Sequence, residues 1–249
     1  MMRTKLLILL TILAVALAWA EPALAQSLQL DLGEDADGAT AGRLIQLVAL
    51  ITVLSLAPSI LVMVTSFTRI VVVLSFLRSA LGIQQTPPNS VLISLALFLT
   101  LFVMMPTLQL VYDQAIEPLI AEEIGEMEAL DLAAQPVREF MLGHVREQDL
   151  RLFLDMSGAG PVAAPEETPM RSLIPAFMIS ELRRAFEIGF LLFLPFVIID
   201  MVVASVLMSM GMLMLPPIMI SLPFKLIFFV LVDGWYLVAG SLVQSYGGA

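Results

Sequence analysis

An all-α membrane protein, built from hydrophobic helical hairpins around a small helical extracytoplasmic insert, is what the sequence of this chain predicts. Hydrophobic residues make up 59% of its 249 residues and charged residues 14%, with a mean hydropathy of +0.97, far outside the range of a soluble domain of this length. Its apolar runs reach the roughly 20 residues that a helix needs to cross a bilayer, and they end at proline and glycine breakers. Between them lies one stretch of a different kind, acidic and amphipathic at helical spacing.

Residues 1–25 carry the pattern of a cleavable secretory signal. Arg3 and Lys5 precede an apolar run over 6–20, and Ala23-Leu24-Ala25 stands before Gln26. A first transmembrane anchor is the alternative, but the run is shorter than a span, which favours cleavage. Removing Arg3, Lys5 and Glu21 leaves ten basic and 21 acidic residues, a formal charge of −11. Residues 26–43 then form an acidic extracytoplasmic segment, with four acids between Asp31 and Asp37. A first hydrophobic hairpin is expected over 44–111. Its first helix, 44–64, is kinked at Pro58, and its second, 91–111, is entered through Thr86-Pro87-Pro88-Asn89. The connection between them carries Arg69 and Arg78, so the positive-inside rule places it on the cytoplasmic side.

Residues 112–170 read as an acidic extracytoplasmic helical domain. Thirteen acids between Asp113 and Glu167 face only Arg138, Arg146 and Arg151, a balance that repels nucleic acid and anionic headgroups. Two amphipathic helices are predicted, over 122–140 and 140–156, with Phe140, Met141, Val145, Leu150, Leu152, Phe153 and Leu154 set between charges. A Gly-, Pro- and Ala-rich linker over 157–169 follows. The last region, 171–249, is a second hydrophobic hairpin. Residues 188–224 hold one ionisable group, Asp200, and are too long for one span, so Gly211 and Pro216-Pro217 divide them into two helices, the second reaching about residue 244. Arg171, Arg183 and Arg184 are expected to precede the first of these helices.

Asp200, Lys225 and Asp233 stand isolated in apolar sequence, where a charge near the bilayer centre costs at least about 2.5 kcal/mol. Counted from a turn at Pro216-Pro217, Asp200 lies about sixteen residues before it and Lys225 about eight after it, so pairing between adjacent copies is expected more readily than pairing within one. A proton or ion relay is the alternative, and it needs more groups. Glu181 and Arg184 are spaced i,i+3, and Arg183 and Glu187 i,i+4, which suits either a solvated helix end or a subunit interface. Six methionines lie between Met201 and Met219, and Met208, Met210, Met212 and Met214 alternate with period two. A helix would scatter them over opposite faces, whereas an irregular segment beside Gly211 would gather Met212 and Met214. Gap filling, lipid contact and an adaptable apolar seal all fit that spacing.

Enzymatic signatures are missing. The chain has no cysteine and a single histidine, His144, and it shows no G-x-S-x-G, no Gly-rich phosphate loop and no metal-ligand cluster. The expectation is therefore no catalytic residue, no cofactor and no metal. Asp200 and Asp233 lack the surroundings of an intramembrane aspartyl pair.

Several longer motifs point to a family. The run Thr65-Ser66-Phe67-Thr68-Arg69-Ile70 and its continuation to Gly82, then Gln84, Pro87-Pro88-Asn89 and the stretch from Leu95 to Thr100, closely resemble the FliP family of flagellar type III export proteins. So do Pro175-Ala176-Phe177, Ser180-Glu181-Leu182, Ile188-Gly189-Phe190, Leu194-Pro195-Phe196, Met208-Ser209-Met210-Gly211-Met212, Pro216-Pro217, Ser221-Leu222-Pro223-Phe224-Lys225 and Asp233-Gly234-Trp235. The resemblance implies a core subunit of the flagellar export gate in the bacterial inner membrane and basal body, with the acidic insert on the periplasmic side. Five copies would assemble with FliQ and FliR, alongside FlhB and FlhA, into a helical channel for unfolded flagellar substrates. It implies a methionine gasket over Met208, Met210, Met212, Leu213 and Met214, although Leu213 stands where family members often carry methionine. Glu181, Asp200 and Lys225 match positions tied to subunit contacts or assembly, Phe140 and Phe153 match apolar contact positions of the insert, and Arg184 joins them through its spacing to Glu181. An injectisome homologue and a basal-body scaffold without a conducting role are the alternatives.

Overall fold

The computed structural model of the chain describes residues 39–83, 85–158, 167–212 and 215–247, and they form helices joined by short turns, with no strand among the described residues. The expected signal over 1–25 and the acidic segment as far as residue 38 lie outside the described residues. Two units divide the chain between Leu54 and Ser55. The first holds the beginning of helix α1 (Ala39–Val64), where Thr52 Oγ1 donates to the Val48 carbonyl at 2.7 Å. The second holds the rest of α1, which contains Pro58, and all that follows.

After a two-residue break comes α2 (Phe67–Ala80), which the sequence had been expected to use as a connection. It is instead a helix with eight of its 14 residues buried, and Ile70, Val73, Leu74, Leu77 and Ala80 form an apolar stripe at helical spacing. Arg69, the charge that argued for an exposed loop, is fully buried because the fold supplies it with partners. Arg78 Nη1 donates to Asn89 Oδ1 at 2.5 Å and so ties the end of α2 to the start of α3 (Asn89–Val111). That helix runs past its expected end, through a π-helical turn over Tyr112–Ile116 and into α4 (Glu117–Ile120).

The insert contains α5 (Glu126–His144) and α6 (Glu147–Met156). The break falls at Val145 and Arg146, both extended, and not at Phe140, which lies inside α5. Both helices pack on α7 (Met170–Ser209), a 40-residue helix that begins 18 residues before the apolar run at Ile188. Arg171, Arg183 and Arg184 therefore sit within α7 and not ahead of it. At 1.5 Å per residue α7 is roughly 60 Å long, about twice the hydrocarbon thickness of a bilayer.

The chain returns through α8 (Pro217–Leu231) and α9 (Gly234–Gln244), which the sequence had joined into one helix. Asp233 at φ +50° breaks them, and the two are bent by 62°. Gly234 makes the turn fit, since a Cβ there would lie 2.1 Å from the Phe229 ring. Residues 89–120 and α7 are each long and apolar enough to cross a membrane, and up to four spans result if the bent pairs Leu47–Leu56 with Pro58–Val64 and α8 with α9 each count as one. In the most apolar window of α7 only 11% is buried within the chain.

Candidate functional site

Two ion pairs to other helices and one methionine-rich turn are laid out along α7. Near its N-terminal end, α7 brings Glu181 against Arg69 of α2, 112 residues away in sequence, and both side chains are wholly buried. The pairing is bidentate: Arg69 Nε donates to Glu181 Oε2 at 2.9 Å and Nη2 donates to Oε1. The remaining capacity of both groups is met by the turn after α9. Arg69 Nη1 donates to Ser245 Oγ at 2.9 Å and lies 3.3 Å from its carbonyl, and the Tyr246 hydroxyl donates to Glu181 Oε2. The Tyr246 ring lies 3.8 Å beneath the guanidinium carbon and contacts Phe140 and His144 of α5. Burial pushes the Tyr246 phenol above the ordinary tyrosine range, and the Glu181 charge adds to that shift, so the hydroxyl keeps its proton to donate.

Ser180, one residue earlier and a quarter-turn round the helix, faces the insert. Its Oγ accepts from the Arg146 backbone N–H at 3.0 Å and donates to Asp149 Oδ2 at 2.8 Å, fixing the joint between α5 and α6. Phe140 packs edge-on against Phe177 of α7, with ring centroids 5.9 Å apart. Phe153 is half-buried on α6. Arg183 Nε donates to Glu187 at 2.9 Å on an exposed face, as its spacing predicts, whereas Glu181 turns inward to Arg69, with Arg184 left on the exposed side.

Lower on α7, Asp200 Oδ2 accepts from Lys225 Nζ at 2.6 Å, and Ser221 Oγ donates to Asp200 Oδ1 at 2.5 Å. Lys225 also donates to the Ala80 carbonyl at 3.2 Å, where α2 ends. This corrects the expectation that the pair forms more readily between copies. The helix stops at Ser209, nine residues after Asp200, while α8 begins eight residues before Lys225, so both charges stand about 12–14 Å from the turn and are level. Counting from Pro216-Pro217 had credited α7 with seven residues that belong to the connection.

That connection opens with a Schellman cap. The Gly211 N–H bonds to the Met208 carbonyl at 3.1 Å and the Met212 N–H to the Leu207 carbonyl at 3.0 Å, with Gly211 at φ +74°. Met208 is thus the last turn of α7, Met210 its C-cap and Met212 the first residue beyond the glycine. All three are exposed at the α7–α8 turn, at 60%, 67% and 41%. Leu213 and Met214 lie outside the described residues. Among the described residues no group of acids and histidine is placed to hold a metal.

Sequence reasoning missed Arg69, Tyr246, Ser245 and Ser221 as members of these clusters. For Ser221 a signal was available, since it precedes Lys225 by four residues and shares its face. The apolar stripe around Arg69 was another, since a helix of that pattern carries its arginine inward or pays for it.

Residues 50–242 match the FliP family. Over 244 residues, 98% of this chain and 91% of the relative, the chain is 58% identical to the flagellar biosynthetic protein FliP of Caulobacter vibrioides. It is 54% identical to the protein of the same name from Bacillus subtilis, over 81% of this chain and 91% of that one. The FliP of Aquifex aeolicus is 53% identical, over 81% of this chain and 85% of its own length.

Proposed function

The chain belongs to the FliP family of flagellar biosynthetic proteins, a family of flagellar export components, and from that premise we propose that it is a non-enzymatic subunit of a protein-conducting export gate. In this role several copies, five by family resemblance, associate with FliQ and FliR in the bacterial inner membrane and conduct unfolded flagellar substrates, with the helices α5 and α6 on the periplasmic side. FlhA and FlhB would be neighbours of this assembly.

The observation that carries the proposal is the exposed methionine tip. A Schellman cap holds the backbone of residues 207–212 in one conformation while Met208, Met210 and Met212 stay uncovered. A rigid backbone bearing long, polarisable side chains is what an apolar constriction needs if it is to close around nothing and still deform around a passing chain. The apolar surface of α7 supports the same reading, because a helix this hydrophobic and this exposed requires cover from lipid or from other subunits. Glu181, Asp200 and Lys225, each bonded within the chain, then act on assembly by setting the faces that subunits present. Arg184, exposed beside Glu181, and Phe153, half-buried on the insert, are the residues assigned to direct contact in this reading, while Phe140, packed against Phe177 and Tyr246, would act by holding the insert on α7.

Replacing Met208, Met210 and Met212 together by alanine tests the gate. The expected result is an assembled complex of unchanged native mass whose membranes leak ions when the membrane potential is raised. A complex that assembles and stays tight would leave the chain as a scaffold and refute the gate.

A further inference from the structure

Arg183 stands one turn before an open apolar groove between α2 and α7, at the end of the apolar run that faces the insert. We propose that this face of α7 is a site for one anionic phospholipid, its phosphate held at Arg183 and one acyl chain lying in the groove.

The groove comes from a close approach of two helices. A Cβ on Gly189 would lie 2.5 Å from the Phe76 ring, so α2 lays that ring directly on the α7 backbone. Phe186 closes the end nearest the insert, edge-on to Phe76 with ring centroids 5.0 Å apart. Phe190, Phe193 and Val197 continue the lining of a space of about 330 Å³, open along one side. From Phe186 to Val197 the helix rises roughly 16 Å, close to half of a hydrocarbon core roughly 30 Å thick. The groove is as long as one leaflet is deep.

Its head is charged. Arg183 shares the face of Phe186 and Phe190, at spacings of three and seven. Its Nε donates to Glu187, its side chain is 54% exposed, and its terminal nitrogens have no partner among the described residues. Arg184, on the neighbouring face, has no hydrogen bond or ion pair among the described residues, and Arg146 reaches the same region from the α5–α6 joint, so that Glu187 feels all three arginines. Asp149 lies 3.8 Å from Arg146 and is the second acid there. Three arginines against two carboxylates leave one positive charge in excess, in a chain whose acids outnumber its bases 22 to 12. In the gate reading these arginines lie on the extracytoplasmic side, against the positive-inside trend, and a lipid phosphate supplies the counter-charge. Head and tail together select the occupant: a free phosphate leaves the groove uncovered, and a neutral lipid leaves Arg183 unanswered. The inference goes beyond the gate proposal and requires only that α7 lies in a bilayer. Its failure leaves the methionine tip untouched.

The purified full chain in detergent is given an equimolar mixture of dioleoylphosphatidylglycerol and dioleoylphosphatidylcholine, and bound lipid is counted by native mass spectrometry. Phosphatidylglycerol is expected to be retained in preference. Arg183→Gln is expected to lower its binding about fivefold, with phosphatidylcholine unchanged. Glu187→Gln, which removes the acid competing for Arg183, is expected to raise it, an opposite sign that general loosening would not produce. Val197→Trp fills the groove and is expected to lower both lipids. No preference for phosphatidylglycerol, or no response to Arg183→Gln, overturns the site, as does lipid binding that Val197→Trp leaves unchanged. Displacement of the lipid by excess inorganic phosphate shows an anion site without a tail and overturns it too. A loss of oligomer mass in Arg183→Gln with lipid binding intact gives the face to a second copy and refutes the lipid. Should Arg183→Gln not accumulate, Glu187→Gln decides: a rise supports the site, and no change or a fall refutes it.

Discussion

Between residues 172 and 189, α7 buries eight residues against α2, α5 and α6, whereas between 190 and 209 it buries Phe196 and Leu207 alone. Each half also carries one acid that meets a distant base. Glu181 and Arg69 are both at zero exposure with their hydrogen-bonding capacity met by Ser245 and Tyr246, while the Asp200 side chain is 33% exposed. The upper half is finished within one chain. The lower half is left apolar and open, with three methionines at its tip, and completes itself only against lipid or other subunits. One continuous helix thus joins a half packed within the chain to a half whose apolar surface the chain itself leaves exposed.

The contrast is sharpest at the ion pairs. Glu181→Ala leaves a guanidinium that cannot shed its charge in a dry site, and the expected loss is about 3–5 kcal/mol, read as a collapse in thermal stability and in membrane accumulation. A small effect would mean that water already reaches the upper half, and the distinction between the halves would fail. Next in size is Gly189→Ala. Its Cβ would lie 2.5 Å from the Phe76 ring of α2, and overpacking there is expected to cost about 1–3 kcal/mol. Pairing it with Phe76→Ala should cost less than the two single losses added together, measured as a double-mutant cycle; strict additivity would show that α2 and α7 do not meet as closely as this. Last comes Asp200→Ala, which leaves the buried Lys225 with the Ala80 carbonyl alone; because a lysine, unlike an arginine, can lose its proton when its partner goes, the expected cost is about 1–3 kcal/mol, below that of Glu181→Ala. Its larger effect should be on native mass, as a shift towards smaller assemblies. A stability loss matching that of Glu181→Ala, with assembly intact, would place the lower half with the upper one.

Much of the fold was legible because it is local. Helix type follows from apolar run length and spacing, and the start of α8 from Pro216-Pro217, whereas α7 ends at Ser209, seven residues short of the turn from which the sequence reading counted. The methionine tip was legible as a break in helix, and of the three options that spacing left, its exposure argues against gap filling and is shared by lipid contact and the seal. What escaped was α2, since an arginine in an apolar run reads as a loop charge until its acid is known. The break at Asp233 escaped as well, because it depends on how closely the Phe229 ring approaches Gly234.

By itself, then, the sequence determined an all-helical membrane chain with hairpins, an acidic helical insert and a methionine-rich turn, since these depend on hydrophobic period and on breakers a few residues apart. Tertiary structure alone decided which charges pair. Spacing rules see neighbours three or four residues away on one helix, and they led from Glu181 to Arg184. In the folded chain Glu181 meets Arg69 across 112 residues and Asp200 meets Lys225 across a seven-residue connection. A buried charge takes the partner that excludes water best, and packing, not spacing, settles which one that is.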